Sequence, residues 1–307
     1  MTMRESAMMP GSHPWLVPEW PQIAGVQALF TTRAGGVSQA PFGSLNLGDH
    51  VRDDPAAVAA NRHILTEAIQ RSSPGARPVF LQQVHGCDVE ALHAHTTDGV
   101  AADACVSDQP GAVCTIMVAD CLPVLLAHRH VPVVAAAHAG WRGLVGQDGV
   151  GVLETVFARF ARQVQARQAH LAPAALPRAA EAMSVQTVAD IAADTQVWLG
   201  PCIGPTAFEV GSEVRQAFVT ASAQAASCFT PGAVSGKWWA NLPGLARQRL
   251  QALGLTGIYG NDGSTPWCTV TDSTRFFSHR RDAAVLGSTG RMAACIWLEG
   301  QAPAARS

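Results

Sequence analysis

AVCTIMVADCLPVLLAHRHVPVVAAAHAG, residues 112–140, is the most apolar stretch of the chain. Asp120, Pro123 and the polar run HRHVP interrupt it and divide it into segments of strand length. Short apolar runs bounded by such breakers are typical of buried β-strands. A transmembrane helix would need about 20 nearly uninterrupted apolar residues. The stretch therefore predicts two or three buried strands, CTIMVAD, PVLLA and VPVVAAAH, rather than a membrane span.

Three potential metal ligands lie at or near the ends of apolar runs. Cys121 and His138 belong to the stretch above, and His85 closes the strand-like segment PVFLQQVHG. Two imidazoles and a thiolate suit Zn²⁺, and three protein ligands leave one tetrahedral position for water or substrate. The spacing of the three residues is weak evidence by itself, because it is wide and includes no compact C-x-x-C pair. In addition, a buried cysteine is often only a small apolar residue. Their local contexts favour a catalytic metal site.

The segments before this region predict a strand and a helix. Phe30 to Arg33 is predicted to be a strand, followed by a Gly-Gly turn and the polar loop SLNLGDHVRDD. Asp53 or Asp54 can cap a helix that has Pro55 in its first turn and runs to about Ile69.

The segments after it alternate between helix and strand signals. Gly140 to Gly143 are predicted to open a helix that continues through GVLETVFARFARQVQ, and VWLGPCIG resumes a strand. Two amphipathic helices follow, with Ser212 and Asn241 as N-caps, and Gly254 closes the second. MAACIWL is the last predicted strand. This order lacks strict βαβ alternation, so it predicts an α/β fold with mixed sheets.

Composition limits the classes of partner. The chain has 307 residues, 48% of them hydrophobic, and a net charge of −2, which argues against nucleic-acid or anionic membrane surfaces. Lys237 is the single lysine, so we expect arginines or backbone N–H groups to hold any bound anion. Eight irregularly spaced cysteines and an N-terminus without an apolar signal region predict reduced thiols in a cytoplasmic protein. No protein partner is evident.

Several long motifs together resemble one family. They run in order from about residue 30 to residue 298: TTRAGGVSQAPFGSLNLGDHVRDDP, QQVHG, ADCLPVLL, AAAHAGWRGL, WLGPCIGPTAFEVG, FFSHRRD and TGRMAACIWL. The chain resembles the YfiH-like family, known as purine nucleoside phosphorylases or peptidoglycan editing factors and formerly as polyphenol oxidase or laccase-domain proteins. The resemblance implies a single-domain layered α/β sandwich in which His85, Cys121 and His138 bind zinc. It also implies phosphorolysis of adenosine, inosine and methylthioadenosine, with some adenosine deamination.

The resemblance suggests one catalytic domain with appendages. We expect a loose N-terminal arm at residues 1–20, the domain at 21–300 and a tail at 301–307. Residues 165–194 match nothing in the family and read as a helical insertion.

Further site candidates each have a structural alternative. Asp120 could handle protons beside Cys121 and His138, although strand alternation points it away from Cys121, or it could be a structural carboxylate. Trp141 and Arg142 lie in HAGWRGL, where a helix start can bind an oxyanion or can simply be a tight turn. The remaining candidates for substrate or phosphate contacts are Asn46, Arg62, Cys268, Arg280 and Arg281, which could equally brace loops or helix ends.

Alternative functions remain open at this stage. One is an editing hydrolase that removes L-serine from a cell-wall precursor; another uses Cys121 as a nucleophile and His138 as its base without metal. A third is a copper-dependent phenol oxidase. Two H-x-H pairs, His93/His95 and His128/His130, could bind copper, but they lie in turn-like segments that favour surface loops. A fourth is a non-enzymatic metal-storage protein.

Overall fold

The computed structural model describes residues 13–171 and 185–300 of the chain. Its strands form a four-stranded sheet of order β1-β13-β5-β2, a six-stranded sheet of order β12-β8-β6-β7-β4-β3 and a three-stranded sheet of order β10-β11-β9. The strands are β1 (Val26–Phe30), β2 (Arg77–Phe80), β3 (Val89–Ala91), β4 (Ala104–Ser107), β5 (Ala112–Val118), β6 (Leu122–His128), β7 (Val134–Ala139), β8 (Thr195–Leu199), β9 (Glu209–Gly211), β10 (Phe229–Pro231), β11 (Lys237–Ala240), β12 (Gly257–Gly260) and β13 (Met292–Leu298).

Seven α-helices and two 3₁₀ turns surround these sheets within the described residues. The helices are α1 (Pro55–Ser72), α2 (Trp141–Val145), α3 (Val152–Leu171), α4 (Val188–Ala193), α5 (Ser212–Ala221), α6 (Leu242–Ala252) and α7 (His279–Leu286), and the 3₁₀ turns are Ala223–Cys228 and Thr265–Trp267. None of them combines the length and the apolar character that a bilayer crossing requires.

The two larger sheets pack face to face around one apolar cluster. Ile116 of β5 and Ile296 of β13 contribute from the four-stranded sheet, and Leu125 of β6 and Trp198 of β8 contribute from the six-stranded sheet. Every residue of these four strands is buried. Strands covered on both faces read as continuous apolar runs, which is why this part of the sequence lacks alternation.

Helices cover the outer faces of both sheets. Leu65 and Ile69 of α1 pack on the four-stranded sheet, and Val156 and Phe160 of α3 pack on the six-stranded sheet. The order is thus helix, sheet, sheet, helix. The predicted layered α/β sandwich with mixed sheets is confirmed, and the shared apolar cluster joins both sheets in one domain.

Several local predictions are also confirmed. The three strands of the opening stretch correspond to β5, β6 and β7. Helix α1 begins at Pro55, and the side chain of Asp54 accepts a hydrogen bond from the amide of Ala56 as its N-cap. Asn241 caps α6 by accepting from the amide of Gly244. Gly254, with φ of +85°, follows the end of α6 in the left-handed region.

Other local predictions are wrong. We predicted that the first strand begins at Phe30, but it ends there. Its bounds are set by its partner, the final strand, which pairs with Val26 to Phe30. The helix predicted from Gly140 through residue 165 is two helices, α2 and α3. Gly146 has φ of +63°, and a Cβ there would lie 1.9 Å from the carbonyl oxygen of Val150. Only glycine fits that turn, and it ends α2.

Ser212 is not an N-cap. Gly211 occupies the cap position of α5, and the Ser212 hydroxyl donates to the carbonyl of Gly236 instead. Short strands such as β3, β9 and β11 were not predicted, because they are only partly buried and give weak alternation.

Only parts of the predicted appendages fall within the described residues. Residues 1–12 of the N-terminal arm, 172–184 of the insertion and the 301–307 tail lie outside the described residues. Leu16 forms a backbone bridge with Phe30, so this part of the arm extends the edge of the first sheet. Residues 165–171 belong to α3, and α4 is a further short helix in the segment that we predicted to be an insertion. All eight cysteines are described, and none of them forms a disulfide.

Candidate metal centre and cavity

A cavity of about 330 Å³ opens where β5, β6 and β7 meet α2 and α7. The three predicted ligands, His85, Cys121 and His138, lie on its wall. The other lining residues are His50, Gln83, Met117, Val118, Ala119, Asp120, Trp141, Ile203, Phe208, Leu242, His279, Arg280 and Arg291.

His85 reaches the cavity from an unusual backbone conformation. It follows β2 with φ of +61°, a region that non-glycine residues rarely adopt. Its amide donates to Oδ1 of Asp103 at 2.9 Å, and the neighbouring amides of Val84 and Gly86 donate to Oδ2 at 3.1 and 2.6 Å. Three hydrogen bonds to one buried carboxylate hold the turn in this conformation.

Cys121 is placed by the turn between β5 and β6. Asp120 has φ of +89°, and β6 begins at the next residue after Cys121. Leu122 pairs with Ala139, so Cys121 stands next to Gly140 just beyond the paired ends of β6 and β7. A Cβ on Gly140 would lie 3.0 Å from Sγ of Cys121 and 2.9 Å from Cδ2 of His85. Glycine at this position leaves room for both ligands.

His138 lies near the end of β7, with its side chain 4% exposed. Its amide donates to the carbonyl of Asp103 at 2.7 Å, and its Nδ1 lies 2.8 Å from Oδ1 of the same residue. A carboxylate at Nδ1 fixes the proton there, so Nε2 remains available as a ligand atom.

The three side chains converge. Ligand atoms of His85, Cys121 and His138 all lie within 4.8 Å of one another. Sγ of Cys121 is 3.7 Å from Nε2 of His85, and the two imidazole rings are 4.7 Å apart between centroids. Two neutral imidazoles and a thiolate fit Zn²⁺ or another borderline-soft metal. Within the described parts of the chain, no second group of three such residues comes together.

The electrostatics of this group favour an ionised thiol. Burial opposes the charge, but the nearby imidazoles of His138 and His85 outweigh it and lower the pKa of Cys121 to about 6. Burial also lowers the pKa of His138, and the Cys121 thiolate and the Asp103 carboxylate raise it to about 9. Without metal, the two shifts both favour an imidazolium beside a thiolate, because each group's charge stabilises the other's. The same arrangement suits metal binding and a Cys–His nucleophile.

Asp120 is engaged by hydrogen bonds from two segments far along the chain. Its Oδ1 accepts from the Thr269 hydroxyl at 2.6 Å, and its Oδ2 accepts from the Ser278 hydroxyl at 3.1 Å and the Arg280 amide at 2.6 Å. Ser278 is the N-cap of α7, so a carboxylate lies at the positive end of that helix. These contacts join Asp120 to two distant segments of the fold, and proton handling stays a prediction for this residue.

Two predicted substrate contacts line the cavity, Trp141 and Arg280. Arg280 is exposed, and its guanidinium donates to the carbonyls of Glu209 at 3.1 Å and Ala207 at 3.4 Å. Arg142 stacks over the Trp141 ring at 4.5 Å but does not itself line the cavity.

Arg62 and Asn46 lie away from the cavity walls. Nε of Arg62 donates to the carbonyl of Leu47, and the guanidinium lies 4.0 Å from the centre of the Phe80 ring. The buried Asn46 amide braces its own loop by donating to the carbonyl of Gly48.

Cys268 and Arg281 also have structural contacts. Sγ of Cys268 accepts from the amide of Gly204 at 3.2 Å, inside the core. Arg281 forms an ion pair with Asp282 and donates to the carbonyl of Thr269. Neither lines the cavity, so contact with substrate stays a prediction for them.

Sequence reasoning missed Asp103 and Arg291. Asp103 stands alone in the segment AADACV, and its contact with His138 arises only from the pairing of β4 with β7. Arg291 precedes β13 and lines the cavity. Arg291 lies in the motif TGRMAACIWL, but the only sign of its role within that motif was an arginine directly before a buried strand, which is common.

Neither H-x-H pair belongs to a group of three potential metal ligands among the described residues. His93 and His95 are exposed in a turn, as predicted. His128 departs from the prediction, because it is buried at the end of β6 and its Nδ1 accepts from the amides of His130 and Val131. The His130 side chain is 68% exposed, and its Nε2 lies 3.7 Å from Oδ1 of Asp194.

Comparison with known proteins gives matches over most of the chain. A family model described as multi-copper polyphenol oxidoreductase laccase matches residues 27–184 and 175–299. The chain is 45% identical over 285 residues to "Purine nucleoside phosphorylase PA4543" of Pseudomonas aeruginosa, covering 93% of this chain and 98% of that protein. It is 44% identical over 283 residues to "Purine nucleoside phosphorylase YfiH" of Escherichia coli, covering 92% and 98%.

Solved structures share the fold. The crystal structure of Neisseria meningitidis protein NMB0706 is 41% identical with a TM-score of 0.73, covering 93% of this chain and 99% of that one. YlmD from Geobacillus stearothermophilus is 28% identical with a TM-score of 0.70, covering 97% and 99%.

Proposed function

Because the chain belongs to the multi-copper polyphenol oxidoreductase laccase family, in which the YfiH proteins are found, we propose that it is a zinc-dependent purine nucleoside phosphorylase. Its substrates are adenosine, inosine and methylthioadenosine, with hydrolytic deamination of adenosine as a second activity. The observation that carries this proposal is the convergence of His85, Cys121 and His138 on the wall of a cavity of about 330 Å³.

The cavity has the size and lining for a nucleoside. Pockets of roughly 300–1,000 Å³ with apolar walls and a few polar groups are typical of small-molecule sites. Trp141, Phe208 and Leu242 offer apolar surfaces to a purine ring. Arg280 and Arg291 offer guanidinium groups, which match the geometry of phosphate oxygens. A site that receives both a base and an anion supports phosphorolysis.

The chain's own residues would hold the metal through His85, Cys121 and His138. When bound, zinc supplies a Lewis acid and lowers the pKa of coordinated water. Asp103 keeps the His138 proton on Nδ1 and orients the His85 turn. Asp120 fixes the start of α7 beside Cys121, which in turn positions Arg280 at the cavity. Metal binding and phosphate binding are therefore assigned to different residues, and substitutions can test the two roles separately.

Zinc fits the donor set better than a multicopper arrangement. A multicopper oxidase needs several copper sites, and the described residues supply one group of three ligands. The oxidase alternative nonetheless remains testable by loading the protein with copper and measuring phenol oxidation, which we expect to be absent.

The Cys121–His138 ion pair supports a second candidate, a metal-free cysteine hydrolase, which could include the editing of cell-wall precursors. A lowered thiol pKa is what such a nucleophile needs. His85 favours the metal proposal, because a Cys–His nucleophile does not require a third residue held in a left-handed conformation.

The experiment is a substrate screen on metal-quantified protein with and without phosphate. Inosine should yield hypoxanthine and ribose-1-phosphate only when phosphate is present, and Cys121→Ala should abolish turnover. Full activity after rigorous metal removal would instead support the cysteine nucleophile. Release of serine from a UDP-linked muropeptide without nucleoside turnover would support the editing hydrolase.

A further inference from the structure

Arg291 is a cation fixed at the cavity wall. Its amide donates to Oδ1 of Asn46 at 2.8 Å, and its Nη1 donates to the carbonyls of Thr289 at 3.0 Å and Gly290 at 3.3 Å. A Cβ on Gly48 would lie 2.7 Å from Cγ of Arg291. Glycine at position 48 therefore leaves room for the aliphatic part of the Arg291 side chain. The side chain is therefore held in one orientation, and Nη2 and Nε remain for another acceptor.

Among the residues that the structure describes, no carboxylate forms an ion pair with this guanidinium. Burial lowers the pKa of Arg291, and the negative charges of Cys121 and Asp120 offset part of that cost. A cation partly withdrawn from water without an ion-pair partner favours an incoming anion.

The negative groups on the cavity wall, Cys121 and Asp120, already have partners, and the other polar groups there include hydrogen-bond donors. Arg280 is exposed, and His50 and His279 add two imidazoles. Among the described residues that line the wall, Asp120 is the one carboxylate, and both of its oxygens already accept hydrogen bonds. The cavity therefore presents donors that an anion can use and no free carboxylate that would repel it.

We propose that Arg291, together with Arg280, forms the oxyanion subsite of this cavity and binds inorganic phosphate there. The inference deepens the proposed phosphorylase function and rests on it for the role of the phosphate, but the binding itself can be tested alone. The same guanidinium chemistry would accept the carboxylate of an amino acid, so the experiment compares both anions. The rival role for Arg291 is to stabilise the Cys121 thiolate without touching a ligand.

The test is calorimetric titration of zinc-loaded protein with inorganic phosphate and, separately, with acetate. Arg291→Ala should weaken phosphate binding at least tenfold. Arg291→Lys, which keeps the charge and loses the planar fork, should weaken it less. The matched control is Arg159→Ala, because Arg159 is an exposed arginine on α3 outside the cavity lining. It should bind phosphate like the wild type. Thermal unfolding of each variant shows whether it is folded. If Arg291→Ala does not fold, phosphate binding by Arg291→Lys is compared with that of the wild type.

Three results would overturn the inference: phosphate binding by Arg291→Ala and Arg291→Lys equal to the wild type, an equal loss in Arg159→Ala, or wild-type protein that binds acetate but not phosphate. Failure of the proposed function is a different result. If phosphate binding depends on Arg291 while inosine is not cleaved, the subsite stands and the phosphorylase proposal falls.

Discussion

Oδ1 of Asp103 lies 2.8 Å from Nδ1 of His138, and the same oxygen accepts the amide of His85 at 2.9 Å. One carboxylate thus holds two of the three candidate ligands, one through its ring and the other through its backbone. Asp103 is fully buried, and its hydrogen bonds with His138 and the turn outweigh the effect of burial and lower the pKa of its carboxyl group.

Asp103→Asn should therefore weaken zinc binding. Partners of this kind change metal affinity by roughly 10–100-fold when substituted. Asparagine is neutral and has only one acceptor oxygen. It therefore cannot accept hydrogen bonds from both His138 and the amides of the His85 turn as the carboxylate does. Competition with a chromogenic chelator measures the affinity, and Asp88→Asn is the control, because the Asp88 side chain is exposed. Unchanged affinity in Asp103→Asn would mean that the carboxylate only braces the fold.

Gly140→Ala tests whether the space between the ligands matters. The added Cβ would lie 2.9 Å from Cδ2 of His85 and 3.0 Å from Sγ of Cys121, while the backbone at Gly140 is ordinary extended structure. Overpacking costs roughly 1–3 kcal/mol, so we expect weaker zinc binding with a modest change in melting temperature. Gly300→Ala is the control, because a Cβ there would meet only Pro110 at 4.0 Å. Equal zinc affinity in both variants would contradict the expectation.

The thiolate can be titrated in metal-free protein. Only the thiolate reacts with iodoacetamide, and its fraction rises with pH through the pKa of Cys121, which is about 6. The alkylation rate at Cys121 should therefore rise between about pH 5 and 7 and then level off. Mass spectrometry follows the labelled peptide, and Cys121→Ala gives the background from other cysteines. A rate that keeps rising towards pH 9 would show an ordinary thiol. Bound zinc should suppress the reaction.

The sequence predicted the parts of the site that local signals encode. His85, Cys121 and His138 were recognisable because each lies at or near the end of an apolar run and within a motif that resembles the YfiH-like family. The order of helix and strand signals predicted an α/β fold with mixed sheets, and the resemblance implied the layered sandwich. Asp103 was not recognisable, because its partner is supplied by the pairing of β4 with β7. The break between α2 and α3 was missed because the requirement for a positive φ at Gly146 depends on how close Val150 approaches. Contacts between distant segments decide such features, and one sequence does not display them.

Asp120→Asn should distinguish a structural role from proton handling. The asparagine would direct an NH₂ group towards one of the donors at Asp120, which are the hydroxyls of Thr269 and Ser278 and the amide of Arg280. Hydrogen bonds to charged groups are worth roughly 1.5–3 kcal/mol, and we expect the free energy of unfolding to fall by about that amount. Activity should fall with it and keep the wild-type pH profile. Lost activity with unchanged stability and an altered pH profile would favour proton handling.

Arg280 and Arg62 were both candidates for phosphate contacts, and their positions now predict different phenotypes. Arg280 lines the cavity, so Arg280→Ala should raise the KM for phosphate. We expect a rise of roughly tenfold or more, which corresponds to the free energy of one lost charge-assisted hydrogen bond. Arg62 packs on Phe80 and pairs with Asp49 at 3.1 Å, away from the cavity. Arg62→Ala should therefore lower the melting temperature and leave the KM for phosphate unchanged. Steady-state kinetics at varied phosphate, with inosine saturating, separate the two. A raised KM in Arg62→Ala at full stability would place the phosphate elsewhere, nearer the loop that carries Leu47.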